Sequence, residues 1–162
     1  MRLTFTLAIA ALAISCYAQA QSKAEIFSGQ DVASQLTALV QAAKASDSSG
    51  ATLGDYRSHA IKLSVRTSSG GAEIHAHYDD IFFVTDGKAD LITGGSVINA
   101  KTDSDGETKG SRIENGKSKI IAKGDVVHIP AGVPHQLILV PGSIYSSIVV
   151  KVREPSEPPQ ID

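Results

Sequence analysis

His75-Ala76-His77-Tyr78-Asp79-Asp80, followed by Ile81-Phe82-Phe83-Val84-Thr85-Asp86-Gly87, sets three candidate metal ligands in front of a hydrophobic run and a turn glycine. In an extended segment side chains alternate faces, so His75 and His77 point the same way and two imidazoles converge. Asp80 lies three residues past His77. It joins the histidines only if the chain turns at Tyr78-Asp79 and a new strand begins at Asp80. From there Asp80, Phe82 and Val84 share one face, and Ile81, Phe83 and Thr85 share the other. Upstream, Glu73 is in phase with His75.

A second stretch, Gly124-Asp-Val-Val-His-Ile-Pro-Ala-Gly-Val-Pro-His135, reads as a turn, a strand and a tight loop from Pro130 to Pro134 that delivers His135 into the next strand. Together the two stretches resemble the paired signature motifs of the cupin superfamily. The second motif matches at Gly124, Pro130, Gly132 and His135 with its spacing kept, and Leu139 stands where the family has asparagine. The first matches at His75, His77 and Gly87, with Asp80 in the place of the glutamate. The resemblance covers about Ala60 to Val152. It implies a double-stranded β-helix, or jelly-roll barrel, and a metal held by His75, His77 and His135 with Asp80 as fourth ligand. The alternative for Asp80 is a carboxylate that hydrogen-bonds a ligand histidine.

Imidazoles with a carboxylate suit iron, manganese, nickel, copper, cobalt or zinc. Such a set leaves positions open for substrate, water or dioxygen. Leu137 and Leu139 share parity with His135, and Phe82 and Val84 with Asp80, so the expected pocket wall is predominantly apolar. A small, partly aromatic or aliphatic oxygenated molecule fits that wall better than a sugar phosphate. Glu73 and Tyr78 are the candidate polar groups that orient it, with Gln136 and Tyr145 further options. His59 alternates with Ile61, Leu63 and Val65 on a face expected to point inward. There it is a candidate acid, base or substrate contact, against the alternative of a hydrogen-bonded histidine at the barrel end.

The rest of the chain divides around this region. Residues 1–20 carry Arg2, an apolar core from Leu3 to Ile14 and Ala18-Gln19-Ala20, the pattern of a signal peptide cleaved near Ala20. Lipoprotein processing at Cys16 is the minority alternative. Residues 21–54 read as a helix from Ser28 to Ala45, with Val32, Leu36, Leu39, Val40 and Ala43 at helical spacing, and a Ser/Gly/Asp loop from Ser46 to Gly54. Residues 55–153 alternate in short strands separated by glycine turns, an all-β pattern that agrees with the barrel the resemblance implies. Asn99 to Lys117 reads as a long polar loop, either a lid over the barrel mouth or a solvated insertion. Residues 154–162 form a proline-rich tail.

Cys16 is the only cysteine, so the mature chain has neither a disulfide nor a thiolate ligand. The formal net charge of −2 becomes −3 when Arg2 leaves with the signal, which implies neither nucleic acid nor membrane as partner. A small-molecule ligand and a homodimer are the expected partners. The functional expectation is an exported metal-dependent oxidoreductase of dioxygenase type. Its alternatives are a non-redox isomerase or lyase, and a non-catalytic module that binds a ligand or metal.

Overall fold

The computed structural model describes residues 23–154. The leader read at 1–20, with Cys16, and the proline-rich tail beyond Glu154 lie outside the described residues. α1 spans Gly29–Ser46. Its start matches the sequence signal: the Ser28 hydroxyl accepts from the Asp31 backbone N–H at 3.1 Å, and Asp31 places negative charge at the positive end of the helix dipole. It stops at Asp47, whose φ of 68° is left-handed.

Among the described residues thirteen strands follow: β1 (Ser48–Asp55), β2 (His59–Arg66), β3 (Ala72–His75), β4 (Tyr78–Asp86), β5 (Lys88–Thr93), β6 (Ser96–Ile98) and β7 (Lys101–Thr102), then β8 (Glu107–Gly110), β9 (Arg112–Glu114), β10 (Lys117–Ala122), β11 (Val126–Ile129), β12 (His135–Ile138) and β13 (Tyr145–Arg153). One sheet runs β1-β2-β13-β4-β11 and the other β10-β5-β12-β3-β8-β7, while β6 and β9 pair separately. Their inner faces close on Phe82, Val84, Ile129, Tyr145 and Val149 from the first sheet, and on Ala89, Leu91, Ile121 and Leu139 from the second side. This is the all-β architecture with one N-terminal helix that the strand pattern predicts, in the jelly-roll form that the resemblance implies.

Two stretches expected to be loops are strands. Residues 48–55, Ser- and Gly-rich, pair with β2 from Ser48↔Arg66 to Asp55↔Ala60 around a bulge at Thr52/Gly54. Backbone pairing needs no apolar alternation, and α1 packs over this edge. The polar region 99–117 likewise folds into β7, β8 and β9, with β8 paired to β3. Its side chains are polar because most of it faces water, not because it lacks ladder bonds.

The inward face of β2 is also the reverse of the expected one. Lys62, Ser64 and Arg66 line the interior cavity, so by alternation Leu63 and Val65, 1% and 0% exposed, point to the opposite face. α1 covers that face. The apolar side of the strand therefore supplies the seat for the helix and the polar side supplies the cavity.

Gly87 turns β4 into β5 with φ of +76°, and a Cβ there would lie 2.0 Å from the Ile144 carbonyl oxygen. Gly87→Ala is expected to lose about 1–2 kcal/mol from the left-handed backbone alone, with the clash in addition. A lowered denaturation midpoint at unchanged m-value is the expected reading.

Candidate metal centre

His75 is the last residue of β3 and His135 the first of β12. Glu73 faces His135 across the β12–β3 ladder, so these two side chains leave neighbouring strands on one face. Donor atoms of Glu73, His75 and His135 all lie within 4.8 Å of one another, and the two imidazole centroids are 5.0 Å apart. The Pro130–Pro134 loop sets this approach. Its Gly132 N–H donates to the His75 carbonyl at 2.8 Å, tying the end of one ligand strand to the loop that delivers the other histidine.

Each histidine is oriented from behind. His135 Nδ1 lies 3.1 Å from the Val133 carbonyl oxygen. A carbonyl only accepts, so the proton sits on Nδ1 and the Nε2 lone pair faces inward. Nε2 is buried and has no hydrogen-bond partner. Burial, foremost, holds the His135 pKa below its ordinary value, which keeps the imidazole neutral at neutral pH. His75 Nδ1 bonds the Glu107 carboxylate from β8, and its Nε2 is 3.3 Å from Asp80 Oδ2. Burial opposes charge on His75, but the hydrogen bond and charge of Asp80, with help from Glu107, outweigh it and raise its pKa.

Asp80 enters from the opposite sheet. It is 3% exposed and accepts from Lys151 Nζ at 2.8 Å, with its other oxygen 3.8 Å from His135 Nε2. Burial pushes its carboxyl up, yet the His75 hydrogen bond and the Lys151 charge hold it below the usual carboxylate range. An inward lone pair without a partner, a second imidazole and a carboxylate make a donor set that fits a divalent transition metal. Glu73, His75 and His135 would hold it. Asp80 stands beside both histidines, already engaged by Lys151.

Several expected site residues lie elsewhere. His77 is exposed in the bend at 76–77 between β3 and β4, because the chain leaves its sheet after His75 and not after His77. The turn comes two residues earlier than expected, which keeps Asp80 in phase with Phe82 and Val84 but removes His77 from the cluster. Tyr78 stands outside the cavity wall, its ring 5.7 Å from Lys151 Nζ and 5.8 Å from Arg153 Cζ. His59 has the outward parity of Leu63 and sits 4.8 Å from the Tyr56 ring, with Ser58 Oγ 3.0 Å from its Nδ1. Gln136 does line the cavity, but its amide is engaged as a tie, accepting from the Ile113 N–H and donating to the Gly70 carbonyl. Glu73, expected to orient a ligand, is among the metal-compatible donors.

The expected apolar wall is also incomplete. The cavity, about 220 Å³, is lined by the apolar Phe82, Leu137 and Val149 but also by Lys62, Arg66 and Lys151. Arg66 and Lys62 were hidden in the sequence by giving the apolar parity of β2 to the interior. Glu107 was hidden in a polar stretch without periodicity. Glu107→Ala frees His75 to rotate, so affinity for Mn²⁺ or Zn²⁺ is expected to fall ~10–100-fold while stoichiometry at saturation holds, as read by calorimetric titration.

No family model matches the sequence, and no curated protein does. In structure the chain is similar to the cupin domain of Schizosaccharomyces pombe Cnp3, with TM-score 0.51 and 12% identity over 67% of this chain and 66% of that one. It is also similar to an uncharacterized conserved protein with a double-stranded β-helix domain from Klebsiella pneumoniae, with TM-score 0.49 and 13% identity over 66% and 77% of the two chains. A third similar structure is the DMSP lyase DddQ from Ruegeria pomeroyi, at TM-score 0.49 and 17% identity over 69% of this chain. The match spans 49% of that lyase, about half its length. Its two antiparallel sheets, with the histidine-bearing strands in one of them, form the same double-stranded β-helix fold as that cupin domain.

Proposed function

We propose that this protein is a metal-dependent oxidoreductase of dioxygenase type, acting on a small organic molecule bound in the cavity between the two sheets. The observation that carries the reading is the convergence of Glu73, His75 and His135 on one point, with the His135 Nε2 lone pair left for a ligand. Two histidines and one carboxylate are the donor composition of non-haem iron sites that keep positions open. Bound there, the metal supplies Lewis-acid and redox chemistry.

The chain's own side chains prepare the site. Val133 and Glu107 hold the two imidazoles by their Nδ1 atoms, so both Nε2 atoms point at the same place. Phe82, Leu137 and Val149 give the cavity an apolar surface, the common lining of a small-molecule site. Asp80 and Lys151 form a part-buried ion pair beside the donors, with the exchangeable proton on Lys151 Nζ, hydrogen-bonded to Asp80 Oδ1. That pair favours a second reading, a metal-dependent isomerase or lyase without redox change.

Oxygen uptake separates the two. The protein loaded with Fe²⁺ or Mn²⁺ is expected to consume dioxygen in the presence of a substrate from a panel of small oxygenated molecules. Product formation at an equal rate without oxygen assigns the isomerase or lyase reading. Retention of a ligand without turnover under either condition assigns a binding module. The export expected from residues 1–20 belongs to the same proposal, as does pairing of two copies.

A further inference from the structure

We infer that the cavity takes a small organic acid, gripped by its carboxylate on Lys62 and Arg66 and facing the metal donors with its other end. The inference deepens the proposed function and rests on it only for the reacting end, since the anion contact is made by different residues. In the ladders, Asp80 pairs with Lys151 and Phe82 with Val149, while Lys62 pairs with Val149 and Ser64 with Ser147. Lys62 therefore stands one row along the barrel from the Asp80–Lys151 pair. Ser64, Ser147 and Arg66 continue the wall of the one cavity that Asp80, Glu73 and the two histidines also line, and at ~3.3 Å per residue Lys62 stands about 7 Å along the strand from the Asp80 row.

Charge singles out the occupant. The cavity lining contains three cationic side chains, Lys62, Arg66 and Lys151, against two carboxylates, Glu73 and Asp80. Of these three cations Lys151 is paired with Asp80, whereas among the described residues neither Lys62 nor Arg66 is ion-paired with a carboxylate. Both are half-buried, and a divalent ion at the donors adds to the excess. Positive charge turned into a low-dielectric cavity favours an anion there over a neutral ligand.

Shape narrows the class. The Arg66 guanidinium lies over Gly70, where a Cβ would come within 2.9 Å of its Cζ. The missing side chain leaves room for the planar fork beside Gly70, two residues before β3. A guanidinium fork matches a carboxylate edge through two parallel N–H donors. The cavity, about 220 Å³, is below the roughly 300 Å³ at which drug-sized sites begin, so the acid is a short one. The Ser64 and Ser147 hydroxyls between the cations suit a further oxygen on its chain.

Calorimetric titration of malonate, succinate and pyruvate into metal-free and Mn²⁺-loaded protein tests this, with malonamide and inorganic phosphate as comparisons. At least one acid is expected to bind, its affinity falling tenfold or more in the Lys62→Gln/Arg66→Gln variant and returning largely in Lys62→Arg. Metal content of the variants is expected to match wild type. Carboxylate binding that depends on Lys62 and Arg66 in a chain that holds no metal supports the anion site while removing the metal reading. Equal binding of acid and amide, an affinity indifferent to the double substitution, tighter binding of phosphate than of every acid, or no binding of any acid would each overturn the inference.

Discussion

His75→Ala is expected to reduce bound metal from near one per chain to background, measured by mass spectrometry on protein loaded with Mn²⁺ or Zn²⁺ and freed of excess. The imidazole contributes its Nε2 from the centre of the donor group, 3.3 Å from Asp80 and 3.9 Å from Glu73, and the methyl of alanine offers no lone pair. The substitution leaves the fold's other ties in place. Asp80 keeps Lys151, the Glu107 side chain is 28% exposed and can turn to water, and the Gly132 N–H still reaches the backbone carbonyl of residue 75. Loss of metal with an unchanged circular dichroism spectrum is therefore the expected pair of readings. His135→Ala should behave likewise. His77→Ala should keep the metal, because its imidazole is exposed in the bend beyond β3; a loss there equal to that of His75→Ala would contradict the donor set.

How far the site was legible from sequence depends on whether a feature is local. The spacing from Gly124 to His135 is local, and the glycine and prolines hold their backbone without help from the rest of the fold, so the loop and the position of His135 were readable. The phase of Asp80 with Phe82 and Val84 was readable for the same reason, being an alternation within one strand. His77 was misplaced because the end of β3 is set by where the chain must cross to the other sheet, a tertiary matter on which His-Ala-His is silent. The inward face of β2 failed for a related reason. Leu63 and Val65 are apolar because a helix lies on them, and a strand buried on both sides does not reveal which side encloses a cavity. Glu107 reaches His75 through pairing of β8 with β3, a contact 32 residues apart in sequence that periodicity cannot carry.

The second large effect concerns the Asp80–Lys151 pair. Lys151→Met leaves the Asp80 carboxylate, with a 5% exposed side chain, with only the His75 imidazole beside it; losing one partner of a fully buried pair costs about 3–5 kcal/mol, an upper bound for this part-buried one. A fall in the urea midpoint of the metal-free protein is expected, with most of it recovered in Lys151→Met/Asp80→Asn, where neither charge is left alone. Added metal provides a sharper reading. Asp80 Oδ2 lies 3.3 Å from His75 Nε2 and 3.8 Å from His135 Nε2, so an ion between the imidazoles lies close enough to neutralise the stranded carboxylate. Saturating Mn²⁺ or Zn²⁺ should then raise Tm by more in Lys151→Met than in wild type, since binding to the native state stabilises it by an amount that grows with the logarithm of the affinity. An equal shift in both proteins would mean that Asp80 does not feel the ion. In that case the aspartate serves only to hold Lys151, and Glu73 is the carboxylate of the centre.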